Sequence, residues 1–320
     1  MTARTDDTSN GASVSFADAL GVWIKIGLLS FGGPAAQIAL MHRMVVEERQ
    51  WLTERQYLNA LSFCMLLPGP EAMQLATYAG WRLHGIAGGL AAGLAFVLPG
   101  ASVVLALSMV YASFGNVPLV EAIFLGVKAA VLVIVIEALL RIAKRALDGN
   151  EAWLLAALSF VGIFFLALPY PLIVLAAAIW GFLRAGTTVD ASVPSPEKLE
   201  RSTGSTIATI AVWLAIWMVP LLALGWALGF DHKLAQLGYF FSKLAVVTFG
   251  GAYAVLAYMG QDVVTRLGWL EAGQMMDGLG LAETTPGPLI LVTEFVGYVA
   301  AWRDGGIALG LAGAAVSLWA

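Results

Sequence analysis

Long apolar runs constrain the fold of this chain more than any other feature of its sequence. Residues 85–114, 120–140 and 206–228 each reach the roughly 20 residues that an α-helix needs to cross a bilayer core of about 30 Å. Apolar residues make up 60% of the chain and charged residues only 12%, a balance far outside that of soluble domains. The sequence therefore predicts an all-α integral membrane protein, built as a polytopic helical bundle.

An internal repeat is the second constraint. A shift of 218 residues aligns residues 25–70 with residues 243–288 without a gap, and 16 of these 46 positions are identical. The identities include Phe-Gly-Gly at 31–33 and 249–251, Trp-Leu at 51–52 and 269–270, and Pro-Gly-Pro at 68–70 and 286–288. Chance similarity between apolar stretches would not preserve these triplets, so the chain contains two copies of one unit.

Each copy is predicted to contain two interrupted helices, one at Phe-Gly-Gly and one at Pro-Gly-Pro. Proline lacks a backbone N–H and glycine tolerates left-handed backbone, so neither triplet continues a helix without cost. Interrupted backbone at membrane depth survives only where protein buries it or where it faces a polar cavity. We therefore expect the four breaks to lie in the interior of the molecule.

The distribution of basic residues predicts the orientation, because cytoplasmic loops of membrane proteins are enriched in Lys and Arg. The residues assigned to the cytoplasmic side are Arg43, Arg49, Arg55, Arg82, Arg141, Lys144, Arg145, Arg184, Lys198 and Arg201. The uncharged turn at 115–118 is assigned to the outside. With both arginine-bearing segments of the first copy inside, its interrupted helices resemble re-entrant hairpins.

Five crossings are predicted between the two copies, at 86–114, 119–140, 152–168, 171–184 and 206–229. An odd number of crossings inverts the second copy, and its scarcity of basic residues agrees with this, since only Arg266 and Arg303 remain in the counterpart segments. Two inverted-topology repeats with broken or re-entrant helices are typical of secondary transporters.

Four segments follow from this organisation. Residues 1–15 are a polar tail, 16–184 the first transporter repeat, 185–205 a hydrophilic linker, and 206–320 the second repeat. The second repeat is shorter than the first and the sequence stops within an apolar run, so we expect it to be incomplete and the chain to be truncated at its C-terminus.

The reactive side chains are too few and too scattered for metal or redox chemistry. Cys64 is the single cysteine, and His42, His84 and His232 have no metal-ligand spacing. We therefore expect no metal, no cofactor and no enzymatic activity, since a membrane-embedded enzyme would need a cluster of such residues. The net charge of −4 gives no indication of a nucleic-acid partner, and the lipid bilayer is the expected environment.

The repeated motifs resemble the chromate transporter family, specifically its long members with two homologous halves. In the first copy the resemblance rests on residues 27–34 (Gly-Leu-Leu-Ser-Phe-Gly-Gly-Pro), Glu47, Trp51-Leu52 and residues 67–70 (Leu-Pro-Gly-Pro), followed by Gln74 and Gly80. In the second copy it rests on residues 247–251, 268–270 and 284–288, although Ala252 stands where the first copy has Pro34.

The resemblance implies a multi-pass protein of the bacterial inner (plasma) membrane that exports chromate and confers chromate resistance. Membrane potential or a proton gradient would drive the export. Transport of another tetrahedral oxyanion, sulfate or molybdate, stays open, as does a role as a non-transporting fragment or assembly partner. Whether the protein works as a homodimer is also left open.

The junction of the four breaks is the predicted substrate site, because half-helix N-termini offer free amides and partial positive charge to a dianion. The predicted substrate-binding residues are Lys25, Phe31, Gly32, Gly33, Pro68, Gly69, Pro70, Glu71, Lys243, Gly250, Gly251, Pro286, Gly287 and Pro288. Two alternatives stay open: the triplets could simply kink tightly packed helices, and the two lysines could extend to the membrane interface.

Buried acids could carry protons through such a protein. The candidates for a proton relay are Glu71, Glu137, Glu283 and Glu294, although Glu137 could instead pair with Arg141 one turn later.

Overall fold

The structure is a computed structural model that describes residues 14–115, 117–147, 149–166, 168, 170–184, 203–247 and 252–320. Every regular element in these ranges is helical, which confirms the all-α class. Most of the predicted N-terminal tail and of the predicted linker lies outside the described residues, as do Gly250 and Gly251 of the second Phe-Gly-Gly break.

Twelve α-helices are described. They are α1 (Phe16–Leu29), α2 (Gly33–His42), α3 (Glu54–Cys64), α4 (Glu71–Phe114), α5 (Pro118–Ala146), α6 (Asn150–Phe164), α7 (Tyr170–Arg184), α8 (Thr203–Leu228), α9 (Lys233–Val247), α10 (Ala252–Gln261), α11 (Ala272–Thr284) and α12 (Val292–Trp319). Among the described residues, two helices are long and apolar enough to cross a membrane, in the ranges Glu71–Phe114 and Thr206–Leu228.

The chain divides into two compact units. The first comprises residues up to Lys128 together with residues from Leu224 onward, so it contains helices from both predicted repeats. The second comprises Ala129–Ala223. In this second unit large apolar side chains are exposed along α6, α7 and α8, as expected of surfaces that face lipid.

Within the first unit the two copies fold into the same order of elements. α1, α2 and α3 correspond to α9, α10 and α11, and a π-helical turn follows both α2 and α10. Each turn is closed by the same backbone hydrogen bond, from Trp51 N to Val45 O at 2.8 Å and from Trp269 N to Val263 O at 2.9 Å. Capping boxes then start α3 and α11 at equivalent positions, which explains why these helices begin where they do.

After Pro-Gly-Pro the correspondence between the copies shifts by three residues. α4 begins directly at Glu71, whereas a 3₁₀ turn, Leu289–Leu291, precedes α12. The offset therefore grows from 218 to 221 residues, and Trp81-Arg82 comes into register with Trp302-Arg303. The gap-free sequence alignment, which ends at Pro288, does not contain this second part of the repeat.

Both α4 and α12 are helical hairpins. The backbone of α4 leaves the helical region at His84 and Gly85, and Gly85 has φ 61° and ψ −149°. A Cβ on Gly80 would overlap the carbonyl of Gly88, and a Cβ on Gly93 would lie 2.7 Å from Thr77 Oγ1. Residues equally far from the turn therefore meet, so the two arms run antiparallel with small residues at their interface, as is common between membrane helices.

α12 repeats this construction around Gly305 and Gly306, where Gly306 has φ 65° and ψ −154°. Gly297 of its first arm packs against Gly313 and Ser317 of its second arm, closely enough that a Cβ on Gly297 would overlap them. Each hairpin also packs on the helix that opens its copy, α4 on α1 and α12 on α9. The hairpins in turn contact each other, which brings the two copies together.

Candidate functional site

The first Phe-Gly-Gly break separates α1 from α2. α1 ends at Leu29, and the buried Ser30 caps its end by donating its hydroxyl to Ile26 O at 2.6 Å. Gly32 and Gly33 then adopt φ 83° and φ 77°, a left-handed conformation that glycine adopts at little cost. Pro34 follows in the first turn of α2, where its missing N–H leaves no hydrogen bond unmade.

This break contacts the Pro-Gly-Pro break of the second copy. Gly287 N donates to Ser30 O at 2.9 Å. The side chain of Gln37, which is 1% exposed, donates from Nε2 to Gly287 O at 2.6 Å and to Ser30 O at 3.2 Å. The interrupted backbones of the two copies therefore satisfy each other's hydrogen-bonding groups, as backbone buried away from water requires.

A close approach by α4 completes the junction. Gly100, in the second arm of α4, lies so near Pro286 O that an added Cβ would overlap the carbonyl. Gly287, at φ 96°, has its own Cβ position 3.3 Å from the Cα of Gly100. Pro286, Gly287 and Pro288 are all buried, as expected of a break in the interior, whereas Phe31 and Gly32 of the first Phe-Gly-Gly break are exposed and only Gly33 is buried there.

The first Pro-Gly-Pro break is closed by the helix that follows it. Gln74 Nε2 donates to Pro68 O at 2.7 Å, and Gly69 between them has φ 110°. Glu71 is buried in the first turn of α4, near the positive end of that helix. Pro68 is exposed, while Gly69 and Pro70 are half-buried.

A cavity of about 220 Å³ lies beside both Pro-Gly-Pro breaks. Gly69 and Pro70 line it from the first copy and Pro288 from the second, with apolar side chains of α4, α9 and α12 around them. Thr293 and Ser317 contribute hydroxyl groups, and none of the described residues that line it is charged. A bound anion would therefore depend on backbone N–H groups, of which the first turn of α4 has three without an intrahelical acceptor.

The predicted lysines lie elsewhere. Lys25 is exposed on the face of α1 that also exposes Ile24 and Leu28, and Lys243 is exposed on α9. Neither is among the described residues that line the cavity. Phe31 is 47% exposed beside the break.

The four predicted proton-relay acids lie on four different helices and differ in burial. Glu71, Glu283 and Glu294 are buried in α4, α11 and α12, whereas Glu137 is exposed on α5. The side chain of Arg141, the alternative partner of Glu137, lies outside the described residues. Oε2 of Glu294 is buried and has no hydrogen-bond partner among the described atoms.

Sequence reasoning missed three residues of the junction: Ser30, Gln37 and Gly100. Gln37 carried a usable signal, because a glutamine inside an apolar segment four residues after a break must find partners. Its counterpart in the second copy is Val255, so comparison of the two copies does not single out Gln37. Gly100 follows Pro99 inside a long apolar run, and nothing in the run indicates which backbone it approaches.

Comparison with known proteins identifies the family. Residues 17–182 and 235–320 match the family model described as "Chromate transporter". The chain is 34% identical over 283 residues to the chromate transport protein of Cupriavidus metallidurans, covering 88% of this chain and 67% of that protein. It is 33% identical over 314 residues to the chromate transport protein of Pseudomonas aeruginosa, covering 95% and 72%.

A third relative, the probable chromate transport protein of Synechococcus elongatus, is 30% identical over 298 residues, covering 88% of this chain and 69% of that protein. No solved structure matches the chain. These matches confirm the resemblance found in the repeated motifs: the chain belongs to the chromate transporter family.

Proposed function

We propose that this protein exports chromate across the inner membrane of a bacterium as a multi-pass transporter, and thereby confers chromate resistance. The observation that best supports a transport site is the contact between the Phe-Gly-Gly break of one copy and the Pro-Gly-Pro break of the other, beside a cavity. Broken helices from two repeats that meet at one point are the usual construction of transporter binding sites. The names of three relatives supply chromate as the substrate.

The chromate dianion would bind at the junction of the breaks, where helix N-termini provide its stabilisation. Met73 of α4 and Pro70, the residue before this helix, both line the cavity, so the free amides of the first turn of α4 lie at its edge. Thr293 and Ser317 can donate hydroxyl hydrogen bonds. The second Phe-Gly-Gly break, with Gly250 and Gly251, is proposed to contribute in the same way as the first.

Lys25 and Lys243 are proposed to act at a distance. They occupy equivalent positions on α1 and α9 and are exposed outside the cavity, so their charge would raise the local concentration of a dianion near the junction. We also propose that the two copies have inverted topology, so that rocking of one against the other would expose the junction to each side of the membrane in turn.

The membrane potential is a sufficient driving force for export. Moving one charge through 100 mV is worth about 2.3 kcal/mol, so a dianion that leaves a negative-inside cell gains about 4.6 kcal/mol. At about 1.4 kcal/mol per decade this supports an outward gradient on the order of a thousandfold. A proton gradient would add to it if protons entered through the buried acids in exchange for chromate leaving the cell.

Everted membrane vesicles test this function directly. With an interior-positive potential imposed, we expect chromate to accumulate in vesicles that contain the protein and to stay out of vesicles from cells that lack it. Accumulation should fall when the potential is collapsed. Lys25→Gln and Lys243→Gln should each slow it without reducing the amount of protein in the membrane.

The outcomes separate the alternatives. No protein-dependent accumulation of chromate would contradict the proposed function. Sulfate or molybdate that accumulates in preference to chromate would assign another tetrahedral oxyanion as the substrate. Accumulation that requires a second co-expressed protein would favour the role of an assembly partner.

A further inference from the structure

A second cavity, of about 590 Å³, lies in the first compact unit and shares no described lining residue with the cavity at the junction. It is bounded by the end of α4, the start of α5, the first half of α11 and the turn of α12. Its lining is polar, in contrast to the largely apolar cavity at the Pro-Gly-Pro breaks. The described lining residues with charged side chains are Glu121, Lys128, Glu271, Asp277 and Arg303.

Asp277 is the most deeply buried of these groups. Its side chain is 4% exposed, and Oδ2 lies 3.1 Å from Lys128 Nζ and accepts a hydrogen bond from Tyr111 Oη at 2.8 Å. Its other oxygen, Oδ1, is buried and has no partner among the described atoms. A buried carboxylate oxygen without a donor is costly while the group is charged, and a proton on it removes that cost.

Arg303 also lines the cavity, and its described hydrogen bonds are to neutral groups. Its guanidinium donates to Trp269 O at 2.8 Å and to Gln274 Oε1 at 2.5 Å, both neutral acceptors. Lys128, in contrast, is paired with Asp277. If Asp277 became neutral, two cationic side chains would face the same polar space.

The titratable and charged groups that share the cavity with Asp277 come from every element around it. They are Tyr111 from α4, Glu121 and Lys128 from α5, Glu271 from α11 and Arg303 from α12. The two glutamates favour protonation of Asp277, and the two cations oppose it. An anion bound to the cations would remove most of that opposition, so anion binding and protonation would favour each other.

We propose that this cavity is a proton-linked oxyanion site, in which Asp277 takes up one proton and Lys128, released from it, binds a tetrahedral oxyanion together with Arg303. The proton adds to the Asp277 carboxylate and no covalent bond breaks. The Lys128–Asp277 ion pair is replaced by an ion pair between Lys128 and the oxyanion. The choice of an oxyanion as ligand rests on the proposed function, whereas the proton site rests on the geometry of Asp277.

The first copy lacks the carboxylate of this site. Asn59 stands at the position that corresponds to Asp277, so the carboxylate belongs to the second copy alone. Coupling between a proton and an oxyanion would therefore act in the second copy alone. The cavity also includes Gly115, in the turn that the sequence assigns to the outside of the membrane.

A cysteine next to Lys128 can report occupancy of the cavity. A Cβ added to Gly273 would lie 3.7 Å from Lys128 Nζ, and this glycine is exposed near the start of α11. Cys64→Ala with Gly273→Cys therefore gives a single reactive thiol in the cavity. Sulfate serves as the probe, because chromate oxidises thiols and sulfate stays a dianion near neutral pH. The ratio of maleimide labelling rates with and without sulfate, taken at each pH, cancels the titration of the thiol itself.

We expect sulfate to slow labelling, and its apparent affinity to rise by up to about tenfold for each unit that pH falls, as one linked proton requires. Adding Asp277→Asn should keep the protection and abolish its pH dependence. Lys128→Gln should weaken protection by at least about tenfold through loss of a charged partner. Lys128→Arg should retain it, and Lys233→Gln is the matched control, since Lys233 pairs with Asp304 at 3.6 Å and does not line the cavity.

Equal protection in the parent, Lys128→Gln and Lys233→Gln would overturn the oxyanion site. A pH slope that persists in Asp277→Asn would overturn the proton site. If Lys128→Gln fails to fold, loss of protection in the folded Lys128→Arg variant would also count against the proposal. Chromate flux in everted vesicles is scored separately, so flux without protection removes this inference and leaves the proposed function standing.

Discussion

At the scale of single residues, Gln37 does most to hold the junction together. Its amide bridges Ser30 O, 7 positions away along the chain, and Gly287 O, 250 positions away, two carbonyls that belong to different copies. Because it is buried, no water can replace its hydrogen bonds. One side chain thus couples the geometry of two backbone breaks.

Replacing Gln37 by Met keeps the volume and removes the bridge. We expect Gln37→Met to lower the free energy of unfolding by about 1–3 kcal/mol, the cost of a buried carbonyl left without a donor, and to slow chromate accumulation. Thermal unfolding of the detergent-solubilised protein measures the first effect. Gln261→Met, at an exposed position on α10, is the control, and an equal loss in both variants would contradict the bridging role.

His42 links the end of α2 to the start of α3 on the exposed side of this region, outside the candidate membrane spans. Its Nε2 lies 2.6 Å from Glu54 Oε2 and its Nδ1 lies 3.1 Å from Glu47 Oε1. The hydrogen bond to Glu54 is the main cause that raises the pKa of His42 above its ordinary 6.5, and Glu47 adds to it.

This pKa shift predicts a direction of pH dependence. A raised folded-state pKa gives stability that is fully present below the unfolded pKa and is lost as pH rises through the folded pKa. We therefore expect wild-type protein to lose stability relative to His42→Gln as pH increases from about 6 to about 8. Melting temperatures across this range measure the difference. His232→Gln is the control, and the same pH profile in both variants would assign the effect to another group.

At the scale of elements, the two hairpins depend on a backbone conformation that only glycine adopts readily. Gly85 and Gly306 have nearly the same angles, and neither has any atom within 4 Å of its Cβ position. A substitution there would meet no steric obstacle, so any loss of stability must come from the backbone itself. This separates a conformational requirement from a packing requirement.

Gly85→Ala should lower the free energy of unfolding by about 1–3 kcal/mol, because alanine is strained at positive φ with ψ near −150°. Gly126→Ala in α5 is the matched control: its Cβ position is equally empty, and no positive φ is involved. There we expect no loss, or a gain of up to about 1 kcal/mol from helix propensity. Unfolding measured under identical detergent conditions tests the pair, and equal effects would refute the backbone argument.

The hairpin turns also mark the limit of sequence reasoning about elements. Both Phe-Gly-Gly and Pro-Gly-Pro predict a break, because each places helix-breaking residues next to one another. His84-Gly85 carries one glycine, which a continuous membrane helix tolerates equally well, so only the cytoplasmic assignment of Arg82 and the predicted crossing from residue 86 indicated an end there. The reversal there is decided by the small residues that let the two arms pack, and this is a property of pairs such as Gly80 and Gly88.

At the scale of the whole molecule, the proposed inversion of the two copies has a direct test. Arg55 and Gly273 are equivalent positions at the starts of α3 and α11, and both are exposed. In a Cys64→Ala background, we expect a membrane-impermeant thiol reagent to label Arg55→Cys from the cytoplasmic side only. Gly273→Cys should be labelled from the opposite side only. Labelling of both from the same side would mean that the copies are parallel.

The sequence by itself determined the helical membrane class, the family and the location of the three breaks that the described residues contain. Each of these follows from local chemistry: apolar runs of bilayer length, the missing N–H of proline, the free backbone of glycine, and the repetition of these features 218 residues apart. The helices found at 118–146, 150–164 and 170–184 overlap the apolar segments predicted to be helical at 119–140, 152–168 and 171–184, for the same reason. Each of these features depends on the residues of one segment, so the sequence of that segment is enough to predict it.

Only the tertiary structure decided which breaks meet and which polar residues they use. The bond between Gly287 and Ser30, the bridge by Gln37 and the pair formed by Lys128 and Asp277 all join distant segments. No periodicity in the chain specifies such partners, because they depend on how whole helices pack. The lysine that pairs with a buried carboxylate is Lys128, whereas the lysines singled out by the repeat, Lys25 and Lys243, lie exposed on their helices.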